Sequence, residues 1–238
     1  MSRGGEHNMS KSVAAACLLA IVSLGAAHAA PAKAHKSAAA HPDFTGLWRV
    51  QAFVPAIRTD QGALPPLRPE AKALYDQRVA DRAAGRDVHD PVDTCVPHGA
   101  ARLMFAPYPV LMLQANGQLD MIQEANHTTR LVYIGQPPVE DDDPKWLGDS
   151  TGHWQGATLV IDTINNDHRT WLDKAGLPHS DEMKLTERLT LGKDGKTLTD
   201  AITIDDPKTY TAPWTTTVRF HRASGDLKEN VCTRDHRM

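Results

Sequence analysis

From residue 110 to residue 222 the chain repeatedly alternates apolar and polar residues, with tight-turn residues between the runs. A period of two puts successive side chains on opposite faces, which suits half-buried strands and not helices. Strands are predicted at 110–115, 118–125, 129–134, 184–191, 197–205 and 214–222, with 45–53 ahead of them. Asn116-Gly117 predicts a type I′ hairpin, and Lys193-Asp194-Gly195 a second tight turn. A third hairpin is centred on Gln155-Gly156, between the stretch Gly148 to Trp154 and the β-branched run Thr158 to Thr163. Nine strand segments joined mostly by short turns predict a mainly β fold. The expected form is an antiparallel up-and-down, lipocalin-like barrel or a strongly curved sheet, with one flanking helix. That helix is expected over 68–85: Pro69 suits its first turn, Glu70 complements its N-terminus and Gly85 can end it. Leu74, Tyr75, Val79 and Ala83 would form its buried face.

The first residues read as an export signal. Arg3 and Lys11 precede an apolar run from Val13 to Leu24, and Ala27-His28-Ala29 is a small-x-small cleavage site, whether Met1 or Met9 is the start. That run is too short to span a bilayer as a helix. Residues 1–29 are therefore assigned to a signal peptide, 30–42 to a disordered leader and 43–238 to a single barrel domain, placed in the periplasm with outer-membrane association left open. Without Arg3, Lys11 and Glu6 the chain keeps 24 basic and 28 acidic residues. A mildly acidic surface with no basic cluster argues against nucleic acid and against anionic membranes. With Cys17 lost in the signal, Cys95 and Cys232 are the remaining pair, and an oxidising compartment predicts one disulfide.

Buried charge is the best pointer to chemistry. Alternation places Glu187 on the face of Leu185, Leu189 and Leu191, puts Asp200 among Leu198, Ile202 and Ile204, and turns Arg219 away from Val218 and Phe220. A carboxylate on an apolar face costs several kcal/mol unless paired or protonated, so an internal ion pair and a functional site both fit. His127 follows a strand end with Glu124 and Arg130 three residues to either side. Gly148-Asp149-Ser150-Thr151-Gly152 matches G-x-S-x-G, with Asp173 and His179 downstream, but a nucleophile elbow requires strand–turn–helix where a hairpin is expected. The histidines lack zinc-type spacing, and the chain holds neither GxGxxG nor a P-loop, so chemistry without metal or cofactor is expected.

Several motifs carry a resemblance. Gly46-x-Trp48 is similar to the lipocalin opening. Cys95-x-Pro97-x-Gly99-x-x-Arg102, the block from Gly148 to Thr163, Thr170-Trp171-Leu172-Asp173 with Pro178-His179-Ser180, and Asp206-Pro207-Lys208-x-Tyr210-Thr211-x-Pro213-Trp214 resemble a family of exported sphingomonad and related bacterial proteins. His153 departs from the arginine expected before Trp154. Some members of that family are tied to catabolism of lignin-derived aromatic dimers, including cofactor-independent decarboxylation of a phenylcoumaran acid.

The resemblance implies a ring-opening lyase for a phenolic dimer. His127 would be its base, Glu187 or His179 the proton partner, and Arg102 or Arg130 the carboxylate anchor. Tyr133, Trp171 and Tyr210 would stack on the rings, with Glu124 and Trp214 also lining the binding site. A periplasmic carrier of a small aromatic or apolar ligand is the alternative from a different class, and a serine esterase using Ser150 is the third.

Overall fold

The computed structural model describes residues 41–139 and 143–233. The segment expected to be a signal peptide, most of the expected leader and the acidic residues Glu140, Asp141 and Asp142 lie outside the described residues. Of the leader, His41 stacks on Trp154 with ring centroids 4.3 Å apart.

Nine strands close into a barrel in chain order: β1 (Gly46–Val50), β2 (Val110–Ala115), β3 (Gln118–Gln123), β4 (Thr129–Ile134), β5 (Asp149–Gln155), β6 (Thr158–Ile164), β7 (Lys184–Leu191), β8 (Thr197–Asp205) and β9 (Trp214–Ala223). The up-and-down barrel expected from the alternation is present, with one amendment. β4 and β5 pair in parallel, through Val132↔Ser150, Tyr133↔Thr151 and Ile134↔Gly152; the other neighbours, including the closing pair β1 and β9, are antiparallel.

The turns behave as their residues require. Asn116 and Gly117 both take positive φ, as a type I′ hairpin demands. At the β5–β6 turn Gly156 takes φ 62°, a value open to glycine at little cost.

Inward positions fill the lumen. Met112, Leu119, Met121, Val132, Leu159, Ile161, Leu185, Leu189, Leu198, Ile202, Ile204 and Phe220 are all buried in one continuous core. Trp48 is fully buried, donates from its indole nitrogen to the Phe44 carbonyl at 2.8 Å and carries the Arg222 guanidinium over its ring at 4.4 Å. A Cβ on Gly46 would meet that guanidinium at 2.0 Å, so the glycine makes room for the arginine.

Among the described residues two α-helices lie outside the sheet. α1 (Pro69–Ala83) has the predicted span, but its expected buried face is corrected: Tyr75 is buried, while Leu74 and Val79 are exposed. The helix docks through Arg78 instead, whose guanidinium lies 4.2 Å from the centre of the Trp171 ring and donates to the Gly176 carbonyl at 2.8 Å. α2 (Ala100–Phe105), absent from the sequence reading, has all six residues buried and plugs one end of the barrel. Apart from Arg102 its residues are apolar on every side, so no amphipathic period reveals it.

Cys95 and Cys232 form the expected disulfide, 137 residues apart in sequence. It fixes the segment after β9 to the chain just ahead of α2. Replacing both cysteines by serine should lower the unfolding free energy by about 2–5 kcal/mol in urea titrations. Limited proteolysis should then cut the C-terminal segment first. An unchanged midpoint and cleavage pattern would show that this segment is held without the bond.

Candidate functional site

Three polar clusters organise the barrel, and they differ in kind. The first is inside the lumen. Arg130 on β4 donates to Glu187 of β7 through both terminal nitrogens, to Ser150 Oγ of β5 at 3.1 Å and to Thr163 Oγ1 of β6 at 2.7 Å. Ser150 and Thr163 hydroxyls are themselves 2.9 Å apart. Removing one partner of such a buried pair leaves an uncompensated charge, at a cost of about 3–5 kcal/mol. Asp200 on β8 is buried beside them. Burial holds its carboxyl well above the usual carboxylate range, the Glu187 charge adds to that, and Arg130 opposes it. One cation therefore faces one carboxylate, with Asp200 as a neutral acid. This cluster is sealed in packed side chains.

The second cluster lies at the barrel end plugged by α2. A cavity of about 180 Å³ opens there, lined by His98, Arg102, Tyr108, Asp173 and the apolar Phe53 and Phe105 among others. Arg102 is buried in a two-pronged pair with Asp90, each contact 2.8 Å. Those bonds use two of the five guanidinium N–H groups, and no further acceptor for Arg102 occurs among the described residues. Asp90 also accepts from the Val92 N–H, capping the 3-10 turn Pro91–Thr94 that forms the cavity wall.

His98 is 6% exposed, and its ring centre lies 5.9 Å from that of Tyr108. Burial pushes the imidazole down to about 4; the Arg102 charge lowers it further, while Asp90 and Gln123 pull the other way. It is thus a neutral base at physiological pH. Gly99, at φ 81°, starts α2 so close to Thr170 that a Cβ would lie 2.8 Å from its hydroxyl. Glycine there holds His98 and Arg102, four residues apart, on the same cavity. Asp173 spans the other wall, accepting from the N–H groups of Ile57 at 2.8 Å and of Gly176 and Leu177 at 2.9 Å. Burial raises this carboxyl above its ordinary range despite those three donors.

The third cluster is a clasp. Asn126 N–H donates to the Asn230 carbonyl at 2.8 Å, Glu124 accepts from the Lys228 N–H at 3.0 Å, and His127 Nε2 meets the Lys228 carbonyl at 3.0 Å. Together with the disulfide they hold the C-terminal segment. His127 is exposed, on the 3-10 turn Ala125–His127.

The expected trio of His127, Glu187 and Arg102 therefore does not converge. His127 faces the tail, Glu187 the lumen and Arg102 the end cavity. Arg130 is joined to Glu187 but sealed with it. His179 is buried, with Nε2 against Thr170 Oγ1 at 2.8 Å and Nδ1 against the Ser180 carbonyl at 3.0 Å, so it braces the loop after β6. Trp171 serves as the platform for Arg78. Tyr210 donates to the Pro178 carbonyl at 2.8 Å and packs on Trp214 in the core. Tyr133 lies on the outer face, 40% exposed.

The serine triad does not assemble either. Ser150 sits on a strand, bound to Arg130 and Thr163, while Asp173 holds backbone N–H groups on the end wall. His98, Asp90 and Tyr108 are the site residues that sequence reading missed. His98 occupies an unassigned position within Cys95-x-Pro97-x-Gly99-x-x-Arg102, the one signal that could have found it.

Among the described residues one trio, Asp167, His168 and Asp181, brings potential metal ligands within 4.8 Å. Arg169 already pairs with Asp167, and His168 with Asp181. No described helix is long and apolar enough to cross a membrane. No family model and no curated protein matches the chain.

The protonated Asp200 makes stability fall with rising pH. The folded state keeps a proton that the unfolded chain releases near the ordinary 3.8, so each step above that value favours unfolding. Asp200→Asn keeps the shape without the titration. Urea unfolding between about pH 4 and pH 8 should show the variant gaining on the parent as pH rises. A constant difference across that range would mean Asp200 is ionised in the fold.

Proposed function

We propose that the chain belongs with the exported proteins it resembles and acts in the periplasm as a cofactor-independent lyase, with the end cavity as its site. The substrate class is a phenolic, lignin-derived aromatic dimer bearing a carboxylate. The observation that carries this reading is a buried, neutral imidazole beside a guanidinium with unclaimed donors, in a cavity walled by aromatic rings. The disulfide fits an exported protein.

In this reading His98 replaces His127 as the base and Arg102 anchors the carboxylate. His98 takes the phenolic proton, and the electron pair moves through the ring to form a quinone methide as the benzylic C–O bond of the ether ring breaks. The released aryloxide takes the proton back from His98. The pair in the adjacent C–CO2 bond then forms the alkene and restores the phenolate, and CO2 leaves. Nothing is oxidised overall, so no redox partner is needed. Phe53, Phe105 and Tyr108 supply ring contacts.

The carrier reading uses the same cavity, favoured by the exposed apolar side chains of Phe53 and Val54 at its mouth. Turnover separates the two. Purified protein without additives, incubated with phenolic ether acids, should release CO2 and a ring-opened phenol detectable by mass spectrometry. His98→Ala should lower kcat/KM by about 100-fold or more with the thermal midpoint nearly unchanged. The parent kcat/KM should fall in acid with a midpoint near the value of about 4 set by burial of His98, not near 6.5. Full activity in His98→Ala would remove the base assignment, and binding without turnover across the set would leave a carrier.

A further inference from the structure

The end cavity does not stop at its own walls. A groove of about 170 Å³ runs beside it, lined by Gln51, Ala52, Thr217, Val218 and Arg219, and the two share Val54 and Phe105. The shared residues are the ridge between one depression and the next. Phe53 and Val54, on the segment leaving β1, are each 43% exposed at that ridge. Two large apolar side chains held in water at the junction of two depressions mark a surface suited to being covered.

The segment that carries them is fixed on both sides. Gln51 N–H donates to the Arg219 carbonyl at 2.8 Å, and Ala175 N–H donates to the Pro55 carbonyl at 2.9 Å. The ridge is thus a built wall. At its far side Arg219 is exposed on β9, with no carboxylate partner among the described residues. Arg102 stands at the other end.

We propose that cavity and groove form one two-part cleft for an elongated ligand with an acidic group at each end. One acid would meet Arg102, the apolar middle would cross Phe53, Val54 and Phe105, and the second acid would meet Arg219. This rests on the end-cavity reading and adds a second anchor to it. Arg219 lines the groove and not the cavity that holds His98, which makes it a specificity-determining residue. A compact monoacid fills only the inner part and gains nothing from it.

Calorimetric titration of the purified protein with two probes tests this: para-hydroxybenzoate, and a biphenyl carrying carboxylates at both para positions. The biphenyl diacid should bind about tenfold tighter than the single-ring acid. Arg219→Met should remove most of that advantage while leaving para-hydroxybenzoate affinity unchanged, and Arg102→Met should weaken both probes. Val54→Asp, at an exposed position, should weaken the diacid more than the monoacid. If para-hydroxybenzoate binds through Arg102 but the diacid gains nothing, or keeps its gain in Arg219→Met, the extended cleft is wrong and the inner site stands. If para-hydroxybenzoate fails to bind, or binds equally well to Arg102→Met, the end-cavity reading falls and the cleft falls with it.

Discussion

Strand directions around a closed ring can alternate throughout only when the number of strands is even. This barrel has nine, so one neighbouring pair must run parallel, and that pair is β4 and β5. A parallel pair cannot be joined by a hairpin. The chain therefore spends residues 135–148 returning to the end where β4 began. Pro137, Pro138 and Pro144 lie on that return, and a proline has no N–H to offer a sheet edge. The seam is short: three residue pairs hold β4 to β5, against seven for β5 to β6. What reinforces it lies underneath. Arg130 of β4 reaches under the seam to Ser150 of β5, Thr163 of β6 and Glu187 of β7, so one side chain ties four consecutive strands from within.

That brace decides what the lumen can do. A guanidinium taken out of water must be matched by charge and by acceptors, and Arg130 finds both. Adding a second ionised carboxylate would upset the match, and Asp200 keeps its proton instead. The interior is thus electrically closed as well as filled. A lipocalin-like carrier would hold its guest in the lumen; here leucines, isoleucines and the ion cluster occupy that volume. Binding is pushed to the end of the barrel, where α2 replaces strand packing and leaves a hollow at its rim.

Much of the barrel was legible in the sequence because period-two alternation fixes which residues face inward. Glu187 and Asp200 were placed correctly inside and Arg219 outside by that rule alone, and the two remaining cysteines had one way to pair. The parallel seam was not legible, since it follows from closure of the whole ring and leaves no mark in any single strand. The site was harder still. His127 drew notice because Glu124 and Arg130 flank it in sequence. Asn126 and His127 take positive φ, however, and that kink breaks the alternation and sends Arg130 inward while Glu124 and His127 face the tail. Nearness in sequence does not become convergence in space here. His98 gave no comparable sign: its burial comes from α2 folding over the barrel end, and its lowered basicity comes first from that burial and then from the Arg102 charge four residues on.

The three clusters also divide the work between holding and acting. Charges that brace a fold are best saturated, because any spare donor or acceptor away from water is a penalty. Arg130 obeys this, with partners for each of its nitrogens. Arg102 does not: its pair with Asp90 fixes the plane of the guanidinium and leaves donors pointing elsewhere. A buried arginine oriented by one acid, with N–H groups that the pair does not use, is poised for a second acid brought from outside. The disulfide strengthens this, since Cys95 follows directly on the turn capped by Asp90, and the clasped tail keeps that turn from moving away. The end cavity thus holds a fixed charge with donors to spare, which is the property a binding or catalytic site requires.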